Sequence, residues 1–170
     1  MENTMSEYNI KVNSSPKLFL QQGDEFLEAA WRCAGRDNTG VVRIAEKGQI
    51  NILPSAAVVN ATFSIEMYLK AILQKAGLKY PKNGRDGHDL SKLYNLLKDR
   101  KKETDAINAF VGKSKDGASL FEEFAKLHSQ DFGNIRYYIE KSGWNGMDPL
   151  TVITYAFNLG QAAKTIVSME

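Results

Sequence analysis

The hydrophobic pattern is densest near the middle of the chain, where apolar side chains occupy nearly every side of a predicted helix. A helix that is apolar all round belongs in the middle of a bundle or inside a membrane. Two charged residues, Glu66 and Lys70, favour the bundle over the membrane. The uncharged run before Glu66 is too short to span a bilayer, and the two charges lie one helical turn apart, where they can pair. The pattern therefore predicts the central helix of a soluble domain, starting at Pro54 or Ser55 and ending near Gly77.

The chain before this helix divides into three parts. Residues 1–13 are polar and aperiodic, which predicts a flexible N-terminal arm. A first helix follows, with Ser14 or Ser15 as its N-cap and Pro16 at its first position. Two short runs rich in β-branched residues then predict a short β-hairpin or an extended insertion at about 41–52.

The helical spacing of apolar residues continues beyond the central helix. It predicts a helix from about Leu90, two short helices at 105–111 and 118–127, further helical turns at 132–139, and a long terminal helix capped by Asp148. Gly160 inside the terminal helix indicates close helix packing, or else lowers the stability of that helix by about 1 kcal/mol relative to Ala. The whole pattern predicts an all-α, up-and-down bundle of five to six helices, with residues 14–170 forming one domain.

A charged run at 98–103 follows the helix that starts near Leu90. Its cations suit the negative end of a helix dipole. We interpret the run as a solvated helix end, and a phosphate-contacting patch is the alternative.

Length, composition and charge narrow the class of protein. A chain of 170 residues with 43% hydrophobic residues has enough apolar surface for one core. The formal net charge of +2 provides no bulk attraction to nucleic acid or to anionic lipid. The single cysteine, Cys33, cannot form an internal disulfide, and the N-terminus lacks the features of a secretory signal. We therefore expect a cytoplasmic protein with no membrane-spanning segment.

The sequence gives little support to a metal or phosphate site. His88 and His128 lie forty residues apart and, with one cysteine, form no ligand spacing, so neither a metal nor a cofactor is expected. The string Gly-Lys-Ser at 112–114 is shared with phosphate-binding loops, but the glycine that such a loop needs five positions earlier is replaced by Ile107.

A helical bundle would bring several polar residues near one another: Glu66, Lys70, Arg85, His88, Asp89, Arg136 and Tyr137. Charged groups on an apolar helix must be paired if they are buried. In the structural interpretation, Glu66 therefore accepts hydrogen bonds from its cationic neighbours, which are Lys70, His88 or Arg136. In the functional interpretation, Arg85, His88 and Arg136 face a groove, where the imidazole is a general acid or base and the arginines hold phosphate.

The same residues resemble the HEPN superfamily (higher eukaryotes and prokaryotes nucleotide-binding) over about residues 50–140. The motifs that carry the resemblance are Glu66-Met67-Tyr68-Leu69-Lys70-Ala71-Ile72-Leu73, then Gly87-His88-Asp89-Leu90, then Ile135-Arg136-Tyr137. They are similar to the E-x-x-L-K-A-L-like helix, the G-H-x-L-x-x-L helix and the R-Y turn of that superfamily. The resemblance implies an all-α bundle that forms a homodimer. It also implies a role in a phage-defence or toxin–antitoxin system or beside a nucleotidyltransferase partner, with RNA or a nucleotide as the ligand.

Catalytic members of the superfamily resemble one another in an R-x(4-6)-H motif that supplies ribonuclease chemistry. This chain has no arginine followed by a histidine at that interval, and Arg85 and His88 are only three positions apart. The leading hypothesis is therefore a non-catalytic HEPN-like binding or interaction module. The alternatives are a metal-independent endoribonuclease that uses His88 with Arg85 or Arg136, and a nucleotide-binding partner of a nucleotidyltransferase.

Overall fold

The computed structural model describes residues 15–36, 40, 53–81, 85–129 and 148–169. These residues form six α-helices and a 3-10 turn: α1 (Pro16–Cys33), α2 (Pro54–Lys75), the turn (Arg85–His88), α3 (Leu90–Asn95), α4 (Lys101–Val111), α5 (Leu120–Leu127) and α6 (Pro149–Ser168). They include no β-strand, so the prediction of an all-α bundle is confirmed. The predicted arm at 1–13, the hairpin or insertion at 41–52 and the helical turns at 132–139 lie outside the described residues.

α2 is the central helix of the bundle, as predicted. It packs against α1, α3 and α6, and its buried side chains lie on nearly all of its sides. Of the helices that the structure describes, α2 is the one that is long and apolar enough to cross a membrane. However, 72% of its most apolar stretch is buried inside the protein, which identifies it as a core helix.

Contacts at the two ends of α2 define the directions of its neighbours. At its start, the Leu53 N–H donates to the Cys33 carbonyl at 2.6 Å, so the end of α1 lies beside the beginning of α2. At its end, the Lys75 ammonium donates to the carbonyl of Met169, which directly follows α6. α1 therefore runs antiparallel to α2, and α6 runs parallel to it.

Four helices begin with a side-chain cap. Ser15, Asp89, Ser119 and Asp148 each accept hydrogen bonds from backbone N–H groups two or three residues later, at 3.0 to 3.3 Å. Such caps satisfy N–H groups that have no partner within the helix. The predicted caps Ser15 and Asp148 are confirmed, and a proline follows each of them in the first helical turn.

The charged run at 98–103 is arranged differently from its prediction. It does not extend the preceding helix, because α3 ends and a tight turn follows, in which the Arg100 N–H donates to the Leu97 carbonyl at 2.8 Å. This turn buries Leu97 in the core and directs the chain into α4. Residues 98–102 are exposed to solvent, as predicted. The predicted favourable contact with a helix dipole is wrong for Lys101 and Lys102, because they lie in the first turn of α4, at the positive end of its dipole.

The ring of Tyr68 on α2 is enclosed between two glycines from different helices. A Cβ atom added at Gly23 of α1 would lie 2.5 Å from that ring, and one added at Gly160 of α6 would lie 2.8 Å from it. Only glycine lets α1 and α6 approach α2 this closely, because side chains in close-packed interiors leave no such overlap. The Ser64 hydroxyl also donates to the Gly23 carbonyl at 2.8 Å. Of the two interpretations of Gly160, close packing is therefore the correct one.

Gly160→Ala is expected to destabilise the protein by about 1–3 kcal/mol, because overpacking against the Tyr68 ring outweighs a gain of about 1 kcal/mol in helix propensity. Urea denaturation measures the change. The matched background is Tyr68→Leu, which removes the ring, and there Gly160→Ala is expected to be neutral or stabilising. An equal loss of stability in both backgrounds would contradict the ring contact as the cause.

Candidate functional site

A buried carboxylate lies at the centre of the candidate site. Glu66 is on α2, only 3% of its side chain is exposed, and both of its oxygens are engaged. Its Oε1 accepts from Lys70 Nζ at 2.6 Å, and its Oε2 lies 2.9 Å from His88 Nδ1. The Lys70 side chain is only 7% exposed, so two opposite charges are buried as a pair. A buried carboxylate needs this compensation, because bulk water does not reach it.

His88 reaches Glu66 from the 3-10 turn that precedes α3. A carboxylate only accepts hydrogen bonds, so Nδ1 carries the hydrogen and donates to Glu66. In the neutral ring, Nε2 is then the acceptor nitrogen. The ring meets Phe63 of α2 edge to face with 6.5 Å between centroids, and 38% of the His88 side chain is exposed. The imidazole therefore connects the buried ion pair to the protein surface.

The start of α3 fixes the residues around His88. Asp89 caps α3 by accepting from the Lys92 N–H at 3.0 Å. The Lys92 ammonium pairs with Asp86 inside the 3-10 turn. The next residue, Leu90, is fully buried in the core. The turn is thus held by the helix cap on one side and by the Glu66 contact on the other.

This arrangement has two chemical uses. A carboxylate that accepts from one imidazole nitrogen orients the ring and stabilises its protonated form, as in a general acid–base pair. The same hydrogen bond also fastens a turn to a helix. Lys70 already balances the negative charge of Glu66, so the contact with His88 needs to act only as a hydrogen bond. The geometry therefore favours the structural role, in which the hydrogen bond holds the 3-10 turn against α2.

The structure brings together three of the predicted site residues, Glu66, Lys70 and His88. Of the alternative partners that the structural interpretation gives for Glu66, Lys70 and His88 contact it. Asp89 follows His88 in the sequence and caps α3. The remaining predictions, Arg136, Tyr137 and the side chain of Arg85, lie outside the described residues.

A second polar group lies between α1 and α6, and the sequence analysis did not predict it. The Tyr68 hydroxyl donates to Asp24 Oδ1 at 2.6 Å, and Lys164 Nζ lies 2.8 Å from the same oxygen. Burial, with the hydrogen bond to Asp24, raises the pKa of Tyr68, so its phenol remains a donor at neutral pH. Asp24 and Lys164 border an open groove of about 610 Å³. The sequence contained one indication of this group, Gly23, because a glycine inside a helix indicates that another part of the chain packs closely against it.

The candidate site is not arranged as a metal site. Within the described ranges, no three or more His, Cys, Asp or Glu side chains are grouped as metal ligands would be. Glu66 is already engaged on both oxygens, so a cation would have to displace Lys70 or His88 to reach it.

Glu66→Ala is expected to destabilise the protein by about 3–5 kcal/mol, because it leaves the buried Lys70 charge without its partner. Urea denaturation measures the loss. The double variant Glu66→Met with Lys70→Met replaces the pair by apolar side chains and is expected to recover most of the lost stability.

The control for this experiment is Arg32→Ala, which removes an exposed ion pair with Glu28 at 2.9 Å. Its expected cost is below about 1 kcal/mol, because solvent screens an exposed pair. Equal losses at Arg32 and Glu66 would contradict the burial of the Glu66 pair.

The helices that form the candidate site coincide with a match to a known family. A family model described as the HEPN domain matches residues 44–141. No curated protein and no solved structure matches the chain. The matched range covers more than half of the chain and includes Glu66, Lys70 and His88. From the extent of this match and from its helical fold, the chain belongs to the HEPN domain family.

Proposed function

We propose that this HEPN domain is a non-catalytic binding or interaction module. The observation that carries the proposal is the engagement of Glu66, whose two oxygens accept from Lys70 at 2.6 Å and from His88 at 2.9 Å. In this role the imidazole fastens the 3-10 turn to the central helix. A turn fastened in this way presents a fixed surface to a partner and requires no proton transfer.

The spacing of arginine and histidine supports the same proposal. The catalytic proteins that the sequence resembles have an R-x(4-6)-H motif, whereas Arg85 and His88 are three positions apart. Cleaving RNA without a metal requires a base for the 2′-hydroxyl and a cation for the phosphate, and an error of about 1 Å in their placement already lowers the rate strongly. A shorter interval between the arginine and the histidine places their side chains differently relative to the substrate.

A second candidate function is a metal-independent endoribonuclease that uses His88 with Arg85 or Arg136. One observation favours it. The imidazole is oriented by Glu66 and 38% of its side chain is exposed, and an oriented ring open to solvent has the two properties of a general base.

The variant His88→Asn separates the two candidates, because the amide nitrogen of asparagine takes the place of Nδ1 while the acid–base nitrogen is lost. We expect the wild-type protein to leave a mixed RNA pool intact in metal-free buffer. We also expect His88→Asn to keep most of the stability, whereas His88→Ala loses about 1–3 kcal/mol by leaving a Glu66 oxygen without its donor. Gel analysis of the RNA and urea denaturation measure the two effects.

His128→Asn is the matched control, since it changes the other histidine, which caps the end of α5. Cleavage by the wild-type protein and by His128→Asn that disappears in both His88 variants would contradict the binding module and support the endoribonuclease.

We further propose that the module acts as a homodimer. Leu150 and Phe157 on α6 are seven residues apart, so they lie on one face, and they are 39% and 46% exposed. Exposed large apolar side chains at helical spacing support an interface between helices. The setting that we propose is a cytoplasmic toxin–antitoxin or phage-defence system, on the resemblance of the sequence.

Phe157→Asp is expected to weaken the dimer at least about ten-fold, or about 1.4 kcal/mol, because a carboxylate would replace an apolar contact inside the interface. Light scattering over a series of protein concentrations measures the dissociation. Leu127→Asp is the matched control on α5, where the leucine is 77% exposed, and it is expected to leave the dimer unchanged. A wild-type protein that is monomeric at every concentration would contradict the homodimer.

A further inference from the structure

One end of the helical bundle carries a concentration of cations that the net charge of +2 conceals. We define the basic end as six exposed residues: Lys75, Lys79, Lys98, Arg100, Lys101 and Lys102. They lie on two segments, 75–81 and 95–103, where one carboxylate, Asp99, is exposed and the other, Glu103, is buried. With six cations and two carboxylates these segments carry a net charge of +4, so the rest of the chain carries −2.

Hydrogen bonds between three helices bring these residues to one surface. The Arg100 guanidinium donates to the Ala76 carbonyl at 3.0 Å, which joins the start of α4 to the end of α2. The Lys75 ammonium donates to the Met169 carbonyl, which joins the end of α2 to the end of α6. Cations that are about 25 residues apart in the sequence therefore lie at the same end of the bundle.

Several of these charges are not matched by a carboxylate. Lys98 lies 3.3 Å from Glu122, and Arg100 lies 3.9 Å from Glu103. The side chains that form no ion pair within the described part of the chain include Lys79, Lys101 and Lys102. Their positive charge is therefore available to an anionic partner.

The position of Lys101 and Lys102 does not stabilise α4. They lie in its first turn, where the backbone N–H groups carry partial positive charge, and no side chain caps this helix start. A carboxylate at the same place would interact favourably with the helix dipole, whereas an ammonium group does not. The two lysines therefore gain more from an anionic partner than from the fold itself.

We propose that the basic end is a docking surface for an acidic segment of a partner protein. This inference rests on the interaction function proposed above and gives the module the chemistry of its partner. Aspartate and glutamate side chains pair with lysine ammonium groups and also suit the start of a helix. Leu96 lies beside these cations in the sequence and is 39% exposed, so it offers the apolar contact that protein interfaces combine with charge. The partner segment therefore carries several carboxylates and at least one large apolar side chain.

A nucleic-acid strand fits this surface less well. Proteins that bind single strands place aromatic side chains beside their cations, and the bases stack on them. The exposed aromatic residues of the described part of the chain are Phe110, near the opposite end of α4, and Phe157, in the middle of α6. A strand that runs past the basic end also meets the rest of the chain, whose net charge of −2 repels phosphates. A short acidic segment of a protein ends within the positive surface.

An anionic membrane also fits this surface less well. Proteins that bind membranes through lysines insert several large apolar side chains beside those lysines. Leu53, Phe110 and Leu150 are exposed, but they lie at or near the opposite ends of α2, α4 and α6. Leu96 alone is too little apolar surface to anchor the protein in a membrane.

A reversal of charge at the basic end tests the proposal. Lys101→Glu with Lys102→Glu reverses two charges there, and Lys113→Glu with Lys115→Glu makes the same change in the loop after the opposite end of α4. The probes are a short labelled peptide of glutamate, alanine and leucine, the same peptide with lysine in place of glutamate, and a labelled homopolymer DNA strand with as many charges. Fluorescence anisotropy at several salt concentrations measures the binding of each probe.

We expect the wild-type protein and the Lys113 and Lys115 variant to bind the glutamate peptide more tightly than the DNA strand. The Lys101 and Lys102 variant should bind the glutamate peptide at least about ten-fold more weakly at low salt and should gain affinity for the lysine peptide. Added salt should weaken these complexes, because it screens exposed charges. The melting temperature of this variant should equal or exceed that of the wild-type protein, because carboxylates in the first turn of α4 suit its dipole.

Leu96→Ser tests the apolar part of the docking surface. It is expected to weaken binding of the glutamate peptide about three-fold or more, because it removes an apolar contact with the leucines of the peptide. Binding of the DNA strand, which has no such side chains, should be unchanged. Leu53→Ser is the matched control, since it changes an exposed leucine at the opposite end of α2 and should affect neither probe. Equal losses for the peptide and the DNA strand in Leu96→Ser would contradict a protein segment as the partner.

Failure of the wild-type protein to bind the glutamate peptide, or equal losses in the two double variants, would overturn the proposal. Tighter binding of the DNA strand than of the peptide would also overturn it and would assign the surface to a nucleic acid. Binding to phosphatidylserine–phosphatidylcholine vesicles in place of the peptide would assign the surface to a membrane. RNA cleavage with intact peptide binding would overturn only the non-catalytic function, and absent peptide binding with intact RNA would overturn only the role of the basic end.

Discussion

The burial of the Glu66 carboxylate is the constraint on which the arrangement of α2, α3 and the turn between them depends. A charge inside an apolar bundle is tolerated only where opposite charge and hydrogen bonds surround it. Lys70 supplies the charge from the same helix, and His88 supplies a hydrogen bond from a different element. The need to compensate the Glu66 charge therefore helps to fix the position at which the turn before α3 contacts α2. Leu90, which follows this turn, is buried in the core.

A steric constraint acts on the other side of the same helix. Tyr68 fills the space between Gly23 and Gly160, whose missing side chains set the distances of α1 and α6 from α2. Glu66 and Tyr68 are two residues apart, which places them about 200° apart around the helix axis. α2 therefore has one face where charge compensation holds a turn in place and another where close contact holds two long helices.

The parts of the fold that depend on near neighbours could be predicted from the sequence. The cap Asp148 and the pair of Glu66 with Lys70 involve spacings of four residues or fewer. Periodicity and capping rules describe contacts at such spacings, so both could be predicted. Contacts between distant segments could not be predicted, because they depend on the path of the chain. His88 was one of several candidate partners for Glu66, and the hydrogen bond from Tyr68 to an α1 carboxylate 44 residues away was missed. The turn after α3 was also missed, since it is set by burial in the core.

The hydrogen bond from Leu53 to the Cys33 carbonyl closes the segment between α1 and α2 at its base. Because the packing of α1 on α2 already holds these two ends together, each doubling of the segment's length costs only about 0.6 kcal/mol of closure entropy. In terms of chain entropy alone, a longer segment at this junction therefore costs the bundle little. The junction is a position where a protein engineer would place an inserted reporter, since the chain leaves and re-enters the bundle there at adjacent helix ends.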